Sequence, residues 1–335
     1  MSSKIVITGA TGFSGSHVLE NLSKNLNDSY RVIPACRNKD KLPKIFRDNA
    51  LEGNLLNSSY IEKLTKEADI ICHMASWAEL NGTIEDSTKE FLEPTVNLIS
   101  SALKNGVKRF IFLSAITSIP IEEDRVHTSL SLEKIWPHYE NVIKIEKYLE
   151  DISKFGMEIT ILRLGLFTGK NYSLGLLPIL LPRLKTHLVP WIKNGDTTIP
   201  LIDGADIGLA FKLAALTQLD KTYNLINIVG KEVPKVKEVF QYLHDKYNYP
   251  LPHFSVSFTF AYCIARFMKF VHKFISYEPL IVPSIILLLE ETSVNNDEAQ
   301  KILNYHPNVH WKDSIDIQIE QMSREQISNM RMNKK

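Results

Sequence analysis

The stretch from Lys4 to Leu19, KIVITGATGFSGSHVL, constrains the fold more than any other part of the chain. Ile5, Val6 and Ile7 run straight into a turn with glycines at positions 9, 12 and 15. A helical pattern follows through Val18, Leu19 and Leu22. A parallel strand that feeds a helix through such a turn leaves backbone N–H groups unpaired at the helix N-terminus, where the dipole favours an anion. Gly9 permits the tight turn, Gly12 lets the backbone approach a pyrophosphate, and Gly15 lets helix and strand pack closely. The stretch therefore predicts a dinucleotide-binding strand–turn–helix.

With 335 residues, 44% of them hydrophobic and 23% charged, the chain has ample core for two unequal lobes. A net charge of +1 gives no case for a nucleic-acid partner. Cys36, Cys72 and Cys263 are too few and too scattered for a disulfide framework or a metal site. No metal is expected, and a reducing cytoplasm is the plain reading. The N-terminus runs directly into the first strand, which predicts no signal peptide. No uninterrupted apolar run reaches the roughly 18 residues that a transmembrane helix needs.

Beyond the first helix, strand and helix patterns alternate. Tyr30–Cys36 reads as a second strand, short or irregular because Pro34 cannot donate to a ladder. Arg37 follows, 22 residues after Gly15. An acidic residue near this place binds the ribose 2′-hydroxyl of NAD, whereas arginine suits the 2′-phosphate of NADP. Lys39 and Lys41 complete a small basic cluster. Ala68–Ala75 reads as a buried strand, with His73 structural, and Thr95–Asn105 as a helix ended by Gly106. Arg109–Ser114 and Glu158–Arg163 are further strands, with a long helix near 141–154 between them. This alternation predicts a Rossmann-type doubly wound parallel sheet, an α/β fold.

After Gly169 the regularity loosens. The expected division is a dinucleotide-binding domain over 1–169, with returns from about 201–229. A smaller C-terminal α/β substrate lobe takes 170–200 and 230–322, followed by a polar tail, 323–335. Asp206 reads as the N-cap of the helix after it. Lys221–Leu225 reads as a late strand returning to the sheet, and Val236–His244 as a helix.

The segment Thr8-Gly9-Ala10-Thr11-Gly12-Phe13-Ser14-Gly15 has the spacing GxxGxxG. It resembles the extended short-chain dehydrogenase/reductase superfamily, which includes nucleotide-sugar epimerases, dihydroflavonol reductases and 3β-hydroxysteroid dehydrogenases. The resemblance implies cofactor contacts from Gly9, Thr11, Gly12, Phe13 and Gly15. Gly53-Asn54-Leu55 looks like the family's Gly-Asp-Leu, whose acidic residue meets the adenine amino group; Asn54 keeps a carbonyl acceptor. The strand end near Ala75 would pass the cofactor. Arg163-Leu164-Gly165 through Gly169 is similar to the family's Arg-Pro-x-x-x-Tyr-Gly, which places Gly165 near the nicotinamide. The closing stretch from Asp297 to Pro307 resembles the family's Lys-Ala-x-x-x-Leu-Gly-Tyr-x-Pro.

The family reaction uses a tyrosine, a lysine four residues later and a serine or threonine. This chain lacks YxxxK; its nearest pair, Tyr139 and Lys144, is five apart and turned about 140° on an ideal helix. Counting from strand five puts Lys144 on the family lysine, Glu140 on the tyrosine and Ala115 on the serine, with Ser114 one place earlier. Three readings stay open. Tyr139 acts through an altered first turn after Pro137, with Ser114 or Thr117 polarising the substrate oxygen. Alternatively Glu140 is the acid/base, or the cofactor binds without hydride chemistry.

Phe254–Ile275 combines Arg266, Lys269 and Lys273 on one helical face with Phe260, Ile264, Phe267, Met268, Val271, Phe274 and Ile275 over most of the rest. Such a helix closes over a pocket in the substrate lobe or lies on a membrane surface. The former is the expectation; the latter leaves room for peripheral membrane contact by a cytoplasmic protein. Together these features predict an oxidoreductase using NADP(H), in preference to NAD(H), on a hydroxyl or carbonyl of a fairly apolar small molecule. Catalysis falls to Lys144, Tyr139 and Ser114, with Lys144 also on the nicotinamide ribose; cofactor binding adds Arg37, Lys41, Asn54, Leu55, Ala75 and Gly165. A nucleotide-sugar epimerase or dehydratase is the alternative enzyme, and an NADP(H)-binding sensor or scaffold without turnover the alternative class. A homodimer is compatible with all three.

Overall fold

The computed structural model of the chain describes residues 2–24, 29–77, 79, 82–118, 137–171, 176–272, 286 and 294–332. A seven-stranded, wholly parallel sheet forms its centre. Its strands are β1 (Ser3–Thr8), β2 (Tyr30–Cys36), β3 (Leu51–Glu52), β4 (Ile70–His73), β5 (Arg109–Ala115), β6 (Glu158–Leu164) and, later in the chain, Tyr223–Ile228. The order is Tyr223–Ile228, β6, β5, β4, β1, β2, β3, so the strand order reverses between β1 and β4. This is the doubly wound α/β sheet that the alternating pattern predicts, with the late strand on its edge. Ile5, Val6, Ile7, Ile71, Phe110 and Ile111 have no exposed surface. A strand buried on both faces needs such an apolar run rather than alternation.

Helices cover both faces. On one side are α1 (Phe13–Lys24) and, after β9 (Leu201–Asp203), the helix Gly204–Leu216. On the other are α3 (Ser58–Lys66), α5 (Glu93–Lys104) and α6 (Pro137–Ser153). Gly204 and Gly208 let the first pair approach, because a Cβ on either would meet His17 at 2.3 and 2.6 Å. The short α2 (Lys44–Arg47) and α4 (Ile84–Ser87) lie between; a π-helical turn, Thr88–Leu92, joins α4 to α5. Pro94 removes one hydrogen bond and crowds the carbonyl four residues back, and the wider turn before it accommodates that.

β2 is a regular seven-residue strand despite Pro34. Ala35 O accepts from Ala10 N on the β1 side and Cys36 O from Gly53 N on the other. Pro34, two residues from Cys36, therefore turns its missing donor away from β1, towards β3, which pairs only with Ala35 and Cys36. The ladder loses nothing.

Past β7 (Leu166–Thr168) the chain builds a second core from α7 (Leu176–Leu184), Ile199, Leu201, the helix Val236–Tyr247 and the last helix, Trp311–Met332. In chain order these and the remaining elements are β8 (Trp191–Ile192), α8 (Gly204–Leu216), β10 (Tyr223–Ile228), α9 (Val236–Tyr247), β11 (Ser255–Val256), α10 (Phe258–His272), α11 (Asp297–Leu303) and α12 (Trp311–Met332). Helix α12 runs through Met332, so the expected polar tail from residue 323 is helical over its first ten residues.

The N-cap of α8 is Asp203, which accepts from Ala205 N at 2.7 Å, not Asp206 as the sequence suggests. Asp206 sits inside the first turn. Its carboxylate accepts from Asn308 N and Val309 N at 2.8 and 3.1 Å and so pins the closing segment to the sheet domain. Asp203 also accepts from Ser314 Oγ, whose oxygen lies 2.7 Å from Thr168 Oγ1, a second tie between the two cores.

Candidate functional site

The reversal between β1 and β4 opens a crevice at the carboxyl edge of the sheet, the place where open α/β sheets bind ligands. Gly9 closes the turn there at φ +67°. A Cβ on Gly9 would lie 2.8 Å from Ala75 N, and one on Gly15 would lie 2.1 Å from Gly9 O. Both clashes are with backbone, so neither can be relieved by moving a side chain. Gly12 donates to Gly9 O at 2.9 Å and faces solvent, which leaves the lip of the turn open. Thr11 is half-buried beside it, and Phe13 begins α1 with its ring 5.7 Å from that of Phe167. The cradle fits a dinucleotide pyrophosphate: a glycine-lipped turn stands against a helix N-terminus.

The wall of the crevice is held by His73. Thr8 Oγ1 accepts from Met74 N and Ala75 N, and lies 2.7 Å from His73 Nδ1. Its one proton therefore goes to Nδ1. His73 is the Nε2–H tautomer and donates to Thr95 Oγ1 at 3.0 Å. Full burial holds its pKa down to about 3, so the ring is neutral. The structural reading of His73 stands on these bonds, and Ala75 is fixed by the same hydroxyl.

At the adenosine end, Arg37 is exposed one residue past β2 and has no ion-pair partner among the described residues. Lys41 is exposed on the turn that Asn38 caps. Asn54 uses its side-chain carbonyl to accept from Leu56 N at 3.1 Å, so an adenine amino group would have to share that oxygen. Leu55 packs against the second face of the sheet. At the nicotinamide end, Gly165 is buried, donates to Ile228 O at 3.0 Å, and leaves room for Pro200 O, which a Cβ would meet at 2.2 Å.

Of the three catalytic candidates, Ser114 and Tyr139 are buried and Lys144 is at the surface. Ser114 is 2% exposed and donates to Glu146 Oε1 at 2.5 Å. Ser118 donates to the same oxygen at 2.8 Å. Arg163 grips the carboxylate with Nε at 3.0 Å and an Nη at 2.6 Å. The Ser114 hydroxyl is thus committed to Glu146. Lys144 is half-exposed on the outer side of α6, paired with Glu140 at 2.6 Å, and lines a surface groove with Val96, Asn97 and Tyr148. The buried arc of α6 is His138, Tyr139, Asn141, Val142, Ile145, Glu146 and Leu149. At 100° per residue, Lys144 falls outside it. Tyr139 is 2% exposed and, seven residues before Glu146, lies within about 20° of it around the helix. Tyr139 and Glu146 share a face; Lys144 does not.

The Glu146–Arg163 network is the part that sequence reasoning missed. Its signal was Arg163 between Leu162 and Leu164 in a buried strand, which requires a buried counter-charge. Among the described residues no cluster of three or more metal-ligating side chains occurs, and no helix is long and apolar enough to cross a membrane.

Residues 5–228 match the model of the NAD dependent epimerase/dehydratase family. The UDP-N-acetyl-alpha-D-glucosaminuronate decarboxylase of Bacillus cytotoxicus is 24% identical and aligns over 94% of this chain and 96% of its own. The UDP-glucose 4-epimerase of Vibrio cholerae is 32% identical, over 35% of this chain and 36% of that protein. Among solved structures, the UDP-glucuronic acid 4-epimerase of Bacillus cereus, in complex with UDP-glucuronic acid and NAD, superposes with a TM-score of 0.71 at 18% identity; the match covers 96% of this chain and 99% of that one. These relatives give no support to an apolar, steroid-like substrate. The solved relative binds NAD. The match over two thirds of the chain, including every strand of the sheet, makes this protein a member of the NAD dependent epimerase/dehydratase family.

Proposed function

We propose that the chain is a nicotinamide-dependent enzyme that acts on the sugar of a nucleotide sugar. The observation that carries cofactor use is the turn with its glycines at 9, 12 and 15, set against the N-terminus of α1 at the switch point. The nucleotide-sugar class is supported by the decarboxylase relative, whose alignment extends through the substrate lobe. It replaces the apolar substrate expected from composition.

When bound, the cofactor supplies a hydride acceptor or donor. The turn would hold its pyrophosphate, and Gly165 would let the backbone approach its nicotinamide. Tyr139 is the residue proposed to move the proton, because it shares the inner face of α6 with Glu146. Ser114 is not assigned that work, since its proton is already given to Glu146. Lys144 and Glu140 satisfy one another at the surface. Tyr139→Phe is expected to lower turnover of a nucleotide sugar at least 100-fold by loss of the proton-transfer group, within the ~10²–10⁴ range of general acid–base catalysis. Glu140→Gln should leave turnover within about twofold, the scale of an exposed i,i+4 pair. The reverse pattern, read by steady-state kinetics, would move the role to Glu140.

A second reading has a specific observation in its favour: the hydroxyl of Ser114 and the ammonium of Lys144 are both committed to carboxylates. It holds that the chain binds the cofactor and does not turn over. Incubating it with NAD(P) and a panel of UDP- and dTDP-sugars, then assaying the sugars for change, separates the readings. Unchanged sugars with tight cofactor binding favour the second.

Arg37 is the proposed selector of NADP(H). A charge-assisted contact to the 2′-phosphate contributes roughly 1.5–3 kcal/mol. NADPH should therefore bind about tenfold or more tighter than NADH, and Arg37→Ala should erase the difference. Equal affinities in the wild-type protein, measured by calorimetric titration, would assign the site to NAD(H).

A further inference from the structure

We propose that the outer face of α10 is a docking surface for an anionic lipid bilayer. Helix α10 attaches to the body of the protein by a narrow stripe, Phe258, Ala261, Tyr262 and Ala265, all buried. That spacing is i, i+3, i+4, i+7, one face of a helix. The opposite face turns outward and is apolar: Phe260 is 55% exposed, Ile264 37%, Phe267 67% and Phe270 58%. Phe254, four residues before the helix, and Leu188 are exposed as well. Trp191 N bonds to Phe254 O, and the neighbouring rings of His187 and His253 stack at 5.5 Å. Among the described residues, four of the eleven exposed large hydrophobic side chains thus gather on this one helix face. Scattered singly they would need no explanation; gathered, they mark an interaction site.

Charge selects the occupant. The chain as a whole is nearly balanced, with 39 basic and 38 acidic residues. From residue 247 to residue 277, however, the sequence has no acidic residue and has Arg266, Lys269 and Lys273. Arg266 is exposed on the flank of the aromatic face. Large aromatic side chains beside a cation, in a stretch of sequence without a carboxylate, match the interfacial layer of an anionic membrane, where a helix lies parallel to the surface and sinks about 5–10 Å. No described helix is long and apolar enough to cross, so the attachment is peripheral.

The test uses the full-length protein and vesicle flotation. Vesicles of phosphatidylcholine with a phosphatidylserine fraction should carry the protein upward, and raised salt should weaken this. Arg266→Glu should lower the partition coefficient at least about fivefold, the contribution of one cation at such a surface. The double variant Phe260→Ser/Phe267→Ser should lower it more than about tenfold from the loss of two buried rings. Both variants should keep the wild-type melting temperature and cofactor affinity, because none of the three residues belongs to the core. Absence of flotation with either lipid overturns the proposal. So does a wild-type dimer in light scattering that the double variant converts to monomer without any vesicle binding, since that assigns the face to a second copy of the chain. No sugar substrate enters the assay, so its outcome is independent of the proposed reaction.

Discussion

Glu146→Ala is expected to lower the unfolding free energy by about 3–5 kcal/mol, the usual consequence of removing one partner from a buried ion pair. Glu146 and Arg163 have side-chain exposures of only 8% and 9%. Alanine would strand the guanidinium of Arg163 without its two charged acceptor contacts and would take from Ser114 its carboxylate acceptor, while Ser118 keeps Ala115 O at 2.7 Å. The cause is desolvation rather than lost attraction, and a second variant separates the two. Glu146→Leu with Arg163→Met removes both charges at similar volume and should recover most of the loss. Urea titration of the four proteins gives the cycle. A single-variant loss below about 1 kcal/mol, the scale of an exposed pair, would mean that water reaches the site. The network also joins the end of β5 to β6 one residue before Leu164 and Gly165. Cofactor affinity should therefore fall in Glu146→Ala and return in the double variant.

That network explains why the fold was legible in the sequence and the catalytic arrangement was not. The glycine turn reports itself, because its constraint is local: three residues without a Cβ at fixed spacing, after a strand and before a helix. The strands report themselves too, since full burial demands continuous apolar runs such as Ile5 to Ile7. Helix α6 is different. Its orientation depends on which residues its neighbours accept, and counting along the chain from strand five cannot supply that. Lys144 matched by count, but the inner arc is set by Asn141 bonding Ser87 on one side and Glu146 meeting Arg163 on the other. Outside that arc the lysine is half-exposed and pairs with Glu140. Asp206 fails for a similar reason: a capping residue and a residue inside the first turn read alike in sequence, and a partner 102 positions away decided its role. The aromatic helix near residue 265 was legible as amphipathic. Which half would face inward depended on the small residues Ala261 and Ala265, whose size allows close docking.

Acid should destabilise the protein through histidines that folding keeps neutral. His73 is held at about 3 and His138 at about 4, both by burial, against an ordinary value near 6.5. The unfolded chain binds protons on these rings below pH 6.5 and the folded chain does not. Stability therefore rises with pH through this window and falls as pH drops. At pH 5 each histidine costs about 2 kcal/mol, from ~1.36 kcal/mol per pH unit below the unfolded value. Asp206 works in the opposite direction, since burial raises its carboxyl to about 6 and the folded state then takes up a proton first. Its gain at pH 5 is about 1.4 kcal/mol on the same scale, so the two rings together outweigh it. The clean measurement is a difference. In His73→Asn, the side-chain oxygen can still accept from Thr8 while the titrating group is gone. Wild-type protein should lose about 2 kcal/mol more than this variant between pH 7 and pH 5, read by urea titration at each pH. Parallel profiles would mean that His73 takes its proton in the folded state, and the Thr8–His73–Thr95 chain that fixes Ala75 at the crevice would then have to be redrawn.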